Sequence, residues 1–385
     1  MKRSRKEALF IINRSFWPIY PVIGEALLRL AEKTAPRQIV GVILQDRANI
    51  HQHLQEQNRG AGVQFFPCRS WTTSSSSILR RILDAVFFMF WVLGVLLMQR
   101  PTRVYVSTDP PVLVPFVVML YCKIFKAKFT YHLQDIHPEA ARVVTPVHPC
   151  LFKFLRALDG ITMRAADALI TLSAEMAAEM QTRSATQAPI RLISNPSVDF
   201  APDQTLEKIL GFSFCGNAGR LQRIPLLIQA IERYAEQGGK LPFVFAGGGV
   251  HAPALADLAQ RCPQVQYKGQ LAPRQAAQIS ATYTWALLPI EDEVTRFAFP
   301  SKTSSYVHSG AYIAAICGAQ TSVAQWVAGH RLGLCVAPDV DALVAFFFAI
   351  ERGDISYAAP QQDRKDLIAS LSFETFLAQL EKTIA

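Results

Sequence analysis

The most chemically suggestive residues lie in one short stretch of the second half of the chain. The stretch reads Phe299-Pro-Ser-Lys-Thr-Ser-Ser-Tyr-Val-His-Ser-Gly310, and the apolar run Tyr312–Ile316 follows it. This pattern predicts a loop, a short helix that ends at Gly310, and then a buried strand. The start of such a helix presents backbone N–H groups, the positive end of the helix dipole and the Lys302 ammonium to one point. A diphosphate is the ligand that suits this arrangement.

A second candidate anion site is the loop Gly216-Asn-Ala-Gly219, which lies between a strand-like run and a helical run. Its backbone N–H groups can approach a phosphate closely, and Arg220 and Arg223 follow with positive charge. A tight turn without any ligand explains the same glycines. The triple glycine 247–249 has the same two interpretations.

Four polar residues, His132, Asp135, His137 and Glu139, follow another strand-like run. Their spacing does not match a hard-metal or zinc site, so we predict no bound metal. They either face a substrate or have structural roles. In the structural case Asp135 caps the turn before Pro138 and His132 is a core residue with its hydrogen bonds satisfied.

Strands and helices must alternate along the chain to position these groups. The apolar runs predict the following strands: 8–12, 39–44, 104–107, 128–133, 168–172, 190–193, 212–216, 243–246, 265–268, 284–288, 312–316 and 333–336. Asp109 and Pro110 predict the cap and first position of a helix that continues to about Lys126. Alternation of this kind is typical of parallel α/β domains.

The chain has 385 residues, which is enough for two domains. We predict a first domain over 1–195, a linker over 196–210, a second domain over 211–365 and a terminal helix over 366–385 that can pack back on the first domain. Ligands of doubly wound sheets bind at the carboxyl ends of the strands. A cleft between the domains is therefore the expected active site.

Cysteine usage predicts a reducing compartment. The seven cysteines are scattered without a Cys-x-x-Cys pair, and several lie in apolar runs, so we expect buried thiols rather than disulfides or zinc ligands. The basic start of the chain leads directly into a strand-like run and does not resemble a signal peptide. We expect a cytoplasmic protein.

The charge is unevenly distributed. Residues 1–190 contain 23 Lys and Arg against 13 Asp and Glu, whereas residues 191–385 contain 16 against 17. This asymmetry indicates an anionic partner for the first half only, and an acidic membrane surface or a phosphorylated acceptor fits it. We do not expect a nucleic-acid partner, because no nucleic-acid-binding motif is visible.

An apolar segment at 82–98 supports the membrane interpretation. It lies between Arg80-Arg81 and the basic residues Arg100 and Arg103, and its stretch 85–98 has no charge. That stretch is shorter than the roughly 20 residues that cross a bilayer. Three interpretations stay open: a core helix, an interfacial helix that inserts Phe87, Phe88, Phe90 and Trp91 into lipid, or a true span.

Several segments, in this order along nearly the whole chain, resemble family 4 glycosyltransferases of bacterial surface polysaccharide synthesis. Pro300-Ser-Lys302, three residues and then a tyrosine is similar to the donor-binding pattern of that family, and Phe214–Gly219 resembles its first donor-side loop. The other similar segments are Tyr20–Gly24, with Val22 where glutamate is common, Tyr131–Glu139, Ala166–Ser173 and Leu192–Pro196.

This resemblance implies a GT-B fold, in which two Rossmann-like, doubly wound domains face each other across a cleft. It implies a retaining, metal-independent transferase of the hexosyltransferase type, with no cofactor and a nucleotide sugar as the donor substrate. The leaving phosphate helps the acceptor attack from the same face. The implied acceptor is a saccharide on a polyprenyl diphosphate at the cytoplasmic face of the inner membrane.

The resemblance also implies residue roles. His132 and Asp135 are the implied catalytic residues, and Gly24 belongs to the acceptor-side loop. The implied donor-binding residues are Gly216, Asn217, Gly219, Arg220, Arg223, Ser301, Lys302 and Ser305.

One departure from the family pattern bears on donor affinity and activity. Phe297 and Ser305 stand where many members have two glutamates, the second of which holds the donor ribose. The nearby acids 291–293 either replace one of them or form a solvated loop face. A sugar-nucleotide epimerase or hydrolase, and a non-catalytic membrane scaffold, are the alternative functions.

Overall fold

The computed structural model describes residues 7–17, 22–46, 49–72, 78–144, 147–197, 207–355, 357 and 361–385. The chain forms two compact units: Met1–Pro196 with Phe373–Ala385, and Ser197–Ser372. Most of the predicted linker and the residues Tyr20 and Pro21 of the predicted acceptor-side loop lie outside the described residues.

The first unit contains a seven-stranded parallel sheet with the strand order β3-β2-β1-β4-β5-β6-β7. The strands are β1 Ala8–Ile12, β2 Ile39–Asp46, β3 Val63–Arg69, β4 Arg103–Ser107, β5 Lys128–His132, β6 Ala168–Thr171 and β7 Ile190–Leu192. The helices are α1 Ile23–Thr34, α2 Ile50–Glu56, α3 Ile78–Gln99, α4 Leu113–Phe125, α5 Glu139–Val144, α6 Pro149–Arg164 and α7 Ala174–Ser184.

Right-handed crossovers determine which helices share a face of this sheet. The chain moves outward from β1 to β3 in one direction and from β4 to β7 in the other, so α1 and α2 cover one face while α3, α4, α6 and α7 cover the opposite face. In agreement, α3 packs on α4, α4 on α6, and α6 on α7. All five residues of β1 are buried, as expected for a strand covered on both faces.

The second unit contains a six-stranded parallel sheet with the order β10-β9-β8-β11-β12-β13. The strands are β8 Ile209–Cys215, β9 Phe243–Ala246, β10 Val265–Tyr267, β11 Tyr283–Pro289, β12 Tyr312–Ile316 and β13 Gly333–Val336. The helices are α8 Ile224–Glu236, α9 Ala252–Arg261, α10 Pro273–Thr282, α11 Lys302–Ser309, α12 Ser322–Gly329, α13 Val340–Glu351 and α14 Gln361–Ser370, with a 3-10 helix at Asp292–Arg296.

The chain ends in α15, Phe373–Ile384, which belongs to the first unit. Its apolar residues Phe376, Leu380 and Ile384 join the core cluster around α1. Arg29 lies over the Phe373 ring at 4.5 Å from the centroid, and Lys33 pairs with Glu381 at 3.0 Å. The structure thus corrects the expectation of one helix over 366–385. Helix α14 ends at Ser370 and α15 begins at Phe373, and the two helices belong to different units.

The structure also corrects the start of α4. Asp109 and Pro110 do not cap it, since the helix begins at Leu113. The Asp109 carboxylate instead accepts a hydrogen bond from the backbone N–H of Ser15 at 2.6 Å. The prediction that the cysteines are buried is wrong for Cys150 and Cys335, which are exposed, while all seven are free thiols as predicted.

Helix α3 has one face in the protein and one face exposed. Asp84, Phe88, Val92, Val95 and Leu96 are buried. The opposite stripe is apolar but exposed: Leu83, Phe87, Phe90, Trp91, Leu97 and Met98. By length and composition the window Ile82–Gln99 could cross a bilayer, but the core helices of soluble proteins meet the same criteria. In this structure 28% of the window is buried. The interpretation of α3 as a core helix covered on all sides is therefore wrong. The expectation that Phe88 inserts into lipid is also wrong, because Phe88 is buried.

Asp84 holds α3 on the first unit. Its buried carboxylate accepts hydrogen bonds from the side chains of Arg14 at 3.0 Å, Gln45 at 2.8 Å and Thr72 at 2.6 Å. Arg14 follows β1 and Gln45 lies near the end of β2. The helix is thus fixed to the carboxyl ends of the strands by a fully paired charge.

A second buried ionic cluster lies behind β5. The Arg183 guanidinium pairs with Glu139 at 2.7 Å and with Asp159 at 2.6 Å, and all three side chains are at most 6% exposed. Arg183 also donates to the His137 carbonyl at 2.9 Å, and the Tyr131 hydroxyl donates to Asp159 at 2.8 Å. The cluster ties the segment after β5 to α6 and α7. Glu139 therefore has a structural role.

We predict that Arg183→Met lowers the free energy of unfolding of the first unit by about 3–5 kcal/mol, because two buried carboxylates lose their partner. Urea unfolding measures the loss. The matched control in the same unit is Lys33→Met, which removes the solvent-exposed pair with Glu381 and should cost about 0–1 kcal/mol. Equal unfolding midpoints for the two variants would show that the buried cluster does not stabilise the unit.

Candidate functional site

Lys302 is the central cation at the carboxyl edge of the second sheet. It begins α11, and its ammonium lies 3.4 Å from the carbonyl oxygen of Asn217 and 3.8 Å from the centroid of the Phe214 ring. The side chain is half-buried. Desolvation by this burial lowers the pKa of Lys302 to about 7. An anion bound beside the ammonium would therefore stabilise its charged form.

Gly216 allows this position of Lys302. Gly216 has φ of 140°, and a Cβ there would lie 2.4 Å from Cε of Lys302. Gly247, with φ of 133°, packs in turn on Gly216, because a Cβ on Gly247 would lie 1.9 Å from the Gly216 carbonyl oxygen. The loops after β8 and β9 thus stack on each other and on the lysine stem. Close packing, and not only a ligand, requires these two glycines.

The N–H groups of the 216–219 loop are mostly used within the protein. Gly216 donates to the Ala246 carbonyl at 2.8 Å, and Ala218 donates to the Gly248 carbonyl at 2.7 Å. Gly219 donates to the Gln222 side chain at 2.9 Å. These partners agree with the tight-turn interpretation of Gly216, Ala218 and Gly219, and a phosphate-binding role of the loop stays a prediction.

Tyr306 is the tyrosine that follows the Pro-Ser-Lys pattern, and its hydroxyl has structural hydrogen bonds. Its hydroxyl accepts from the Cys215 N–H at 3.3 Å and donates to the Leu287 carbonyl at 3.2 Å, so it joins the ends of β8 and β11. Cations hold the other end of α11: Lys208 donates to the Ser309 carbonyl at 3.1 Å, and Arg364 donates to the Ala311 carbonyl at 2.8 Å. Helix α11 is thus firmly fixed, and Lys302 with it.

Arg223 is turned toward acids of its own unit. Its guanidinium pairs with Asp292 at 2.9 Å and Glu291 at 3.2 Å, and it donates to the Ile290 carbonyl at 2.8 Å. Asp292 also accepts from the Gly318 N–H at 2.9 Å. These two acids therefore join the loops after β11 and β12 to the start of α8. Glu293 is exposed, which agrees with the interpretation of these acids as a solvated loop face.

The remaining predicted donor residues surround Lys302 to different degrees. Ser301 precedes it and is exposed, and Ser305 is half-buried one turn later in α11. Asn217 is exposed and Gly219 is half-buried; a Cβ on Gly219 would lie 2.9 Å from the Asn217 amide. Arg220 is exposed in the same loop. The structure thus brings Gly216, Asn217 and Lys302 together, and the donor-binding roles of these three and of the other residues stay predictions.

His132 lies at the end of β5 in the first unit and is fully buried. Its Nδ1 is 2.6 Å from the Tyr105 hydroxyl and its Nε2 is 2.7 Å from the Gln134 amide nitrogen. Burial lowers the pKa of His132 to about 3, so the ring is neutral. Both ring nitrogens have protein partners, which is the structural interpretation of this residue. A direct catalytic role stays a prediction that would need one of these bonds to open.

Asp135 is more accessible than His132. It is half-buried, and its backbone N–H lies 3.5 Å from the Thr108 hydroxyl, which follows β4. Burial first, and then the negative charge of Asp109, raise the pKa of Asp135 to about 6. Sequence reasoning missed Asp109 as a member of this edge, although its position directly after β4 was a usable signal.

Gly24 lies in the first turn of α1 and is buried. A Cβ there would lie 2.5 Å from the backbone nitrogen of Trp17, so the glycine permits the loop after β1 to approach the helix. No cluster of three or more His, Cys, Asp or Glu that could hold a metal occurs in the described part of the chain.

Comparison with known proteins gives one curated relative. No protein-family model matches the chain. The chain is 26% identical over 248 residues to the probable glycosyltransferase WbjE of Pseudomonas aeruginosa, a match that covers 60% of this chain and 61% of WbjE. The chain thus spans about three fifths of the length of that relative.

Solved structures agree with this chain over nearly their whole length. Anabaena HepE in complex with UDP has a TM-score of 0.66 at 13% identity, covering 98% of this chain and 99% of HepE. The lipopolysaccharide outer core galactosyltransferase WaaB has a TM-score of 0.63 at 15% identity, with the same coverage. The fold that this chain shares with these structures is the GT-B fold, so the predicted GT-B fold with two Rossmann-like units is confirmed.

We predict that Lys302 loses its proton near pH 7 in the protein without ligand, about three pH units below an ordinary lysine. NMR titration of lysine Cε carbons labelled with ¹³C measures this, with the signal assigned through Lys302→Met. The exposed Lys240, at the opposite edge of the same sheet, is the internal control, and its signal should be unchanged in Lys302→Met. A Lys302 midpoint above pH 9 would contradict the buried position of the ammonium.

Proposed function

We propose that the protein is a glycosyltransferase that moves a sugar from a nucleotide-diphosphate donor to a hydroxyl of a saccharide acceptor. One observation carries the proposal: a half-buried lysine with a depressed pKa lies at the carboxyl edge of the second sheet of a GT-B fold. The WbjE relative and the UDP bound to HepE support the same class of donor.

The donor diphosphate would bind beside Lys302. Its ammonium and the positive end of α11 would stabilise the charge that develops on the leaving phosphate in a partly desolvated site. Arg220, Ser301 and Asn217 are exposed at the same edge and would contact the donor. Arg223 would act by holding the loop of Asp292, to which it is already bound.

The transfer would retain the configuration of the sugar. The bond between the anomeric carbon and the donor phosphate breaks while the acceptor oxygen bonds to that carbon on the same face. The acceptor proton passes to the leaving phosphate oxygen, and the nucleoside diphosphate departs. These steps need no metal, because Lys302 supplies the positive charge. We propose a hexose as the transferred sugar.

Asp135 would orient the acceptor in the first unit. At neutral pH most of its carboxylate is ionised, since its pKa is about 6, and an ionised carboxylate accepts a hydrogen bond from a sugar hydroxyl. His132 would act indirectly by positioning Gln134, to which its ring is hydrogen-bonded. A lipid-linked saccharide at the cytoplasmic face of the inner membrane fits the basic first half of the chain.

Phe297 and Ser305 stand at the positions where many family members have glutamates. Without a carboxylate at Ser305 to hold the ribose, the donor would depend more strongly on its diphosphate contacts. An epimerase would convert a UDP-sugar into its epimer, and a hydrolase would release UDP and the free sugar with water, both without any acceptor. A non-catalytic scaffold would turn over none of these substrates, so turnover assays separate the three functions.

We predict that Lys302→Met weakens UDP binding and lowers kcat/KM for a UDP-sugar by at least tenfold, since one charge contact to a desolvated phosphate is worth about 1.5–3 kcal/mol. Methionine keeps the apolar stem that packs on Gly216. Calorimetry with UDP measures the affinity, and Lys240→Met is the matched control.

The same experiment has a pH dependence. Because bound diphosphate favours the charged lysine, wild-type UDP affinity should fall by up to tenfold per pH unit above pH 7, and the fall should vanish in Lys302→Met. Unchanged affinity in that variant, or no binding of UDP or any other nucleoside diphosphate by the wild type, would overturn the proposed donor site.

We predict that Asp135→Asn lowers transfer to an extracted lipid-linked saccharide by at least tenfold and leaves UDP affinity within twofold. The substitution removes only the charge that would hold the acceptor hydroxyl. Transfer of radiolabelled sugar is measured beside calorimetry, with the exposed Glu56→Gln as control. Loss of UDP binding in Asp135→Asn would assign Asp135 to the donor instead.

A further inference from the structure

We propose that three neighbouring helices of the first unit, α3, α4 and α6, form one docking face for a lipid bilayer with anionic headgroups. The inference deepens the proposed function by naming the surface that would meet the membrane. It rests on the exposed side chains of these helices, so it can be tested without either substrate.

The exposed apolar side chains of this face come from all three helices. On α3 they form the stripe described above, in which Phe90 is 61% and Met98 is 81% exposed. Helix α4 adds Leu120 and Ile124, the latter 72% exposed. Helix α6 adds Leu151, Phe154 and Ile161. These helices lie in contact on the same side of the sheet, so the apolar side chains belong to one surface.

Two tryptophans, Trp71 and Trp91, add exposed aromatic surface at and beside α3. Trp71, which precedes α3, is 58% exposed and its ring lies 4.5 Å from that of Phe87. Trp91 is 38% exposed, while its ring nitrogen donates to the Phe66 carbonyl at 3.2 Å. Aromatic rings with an apolar body and a satisfied polar tip are typical of the interface between lipid and water.

The charges of the three helices have one sign at the surface. Their sequences contain two acidic residues, Asp84 and Asp159, and both are fully buried. Their exposed basic residues without an acidic partner are Arg80, Lys123, Lys153 and Arg164, and Arg100 and Lys126 directly follow α3 and α4. Arg156 is also exposed, but its guanidinium pairs with the buried Glu139 at 2.9 Å. The surface therefore combines apolar and aromatic groups with positive charge alone, which matches an anionic lipid headgroup layer.

A second copy of this chain fits the face poorly. A two-fold dimer through this surface would bring the same basic groups against each other, and no acidic residue of these helices reaches the surface to pair with them. A bilayer can accept the apolar side chains and the positive charges together.

The buried side of α3 fixes the mode of docking. The Asp84 carboxylate is held by Arg14, Gln45 and Thr72 in the protein interior. A helix that crossed the bilayer would have to break these contacts and move a charge into hydrocarbon. The helix would therefore stay in the folded unit and contact lipid with its exposed stripe.

Flotation of the full-length protein with vesicles tests the proposal. We expect binding to vesicles of phosphatidylcholine with phosphatidylglycerol, weak binding to phosphatidylcholine alone, and partial release at high salt. Three paired variants each remove exposed apolar groups from one helix: Phe90→Ser with Met98→Ser, Leu120→Ser with Ile124→Ser, and Leu151→Ser with Phe154→Ser. Each pair should lower the partition coefficient at least fivefold.

The matched apolar control is Leu210→Ser with Val250→Ser, two exposed positions of the second unit, which should bind as the wild type does. For charge, Lys123→Gln with Lys153→Gln should lower partitioning by about fivefold per residue, while Lys240→Gln with Lys268→Gln should not. Circular dichroism and UDP affinity confirm that each variant is folded.

Three results would overturn the inference. If the wild type does not float with anionic vesicles, or if it dimerises through this face instead, the surface does not dock to lipid. If only the α3 pair lowers binding, α3 alone contacts lipid and the three-helix face does not. None of these results affects the donor-site tests, because UDP binding in solution needs no membrane.

Discussion

The contact between the stem of Lys302 and the backbone of Gly216 is the constraint on which the candidate donor site depends. A side chain at 216 would occupy the place of the lysine Cε, and a side chain at 247 would displace the Gly216 carbonyl. The three residues come from loops that follow β8, β9 and β11. Parallel strands bring these loops to one edge of the sheet, so the ammonium is placed by the fold as a whole. Tyr306 completes the arrangement by bonding the ends of two of these strands.

Sequence reasoning predicted the buried strands well. The bounds of β1, β9, β12 and β13 were as predicted, since each is a short apolar run between polar turns. Strand β3 was missed because it is a half-buried edge strand that contains Pro67, and edge strands tolerate proline and lack a continuous apolar pattern. Helix α6 was missed because its apolar residues are partly on the surface.

Site chemistry was less predictable than the fold, because it depends on partners distant in sequence. The local sequence does not show that Arg223 pairs with Asp292, 69 residues away. It also does not show that the ring of His132 is hydrogen-bonded to the Tyr105 hydroxyl. The start of α4 was mispredicted for the same reason, since the Asp109 carboxylate is used by Ser15, 94 residues earlier. The 216–219 loop illustrates the general case: its glycines were found, but the N–H groups of Gly216 and Ala218 bond to carbonyls at the end of β9 and in the loop after it.

The Asp84 cluster has a consequence for how the protein would behave on a surface. Because the buried half of α3 is bonded to the ends of β1 and β2, the helix can sink only as far as its exposed stripe allows, and the folded unit sets that depth. Attachment of this shallow kind is reversible and permits lateral diffusion. An enzyme confined in this way would search for a lipid-borne acceptor in two dimensions instead of three, so its rate would follow the surface density of acceptor and not its bulk concentration.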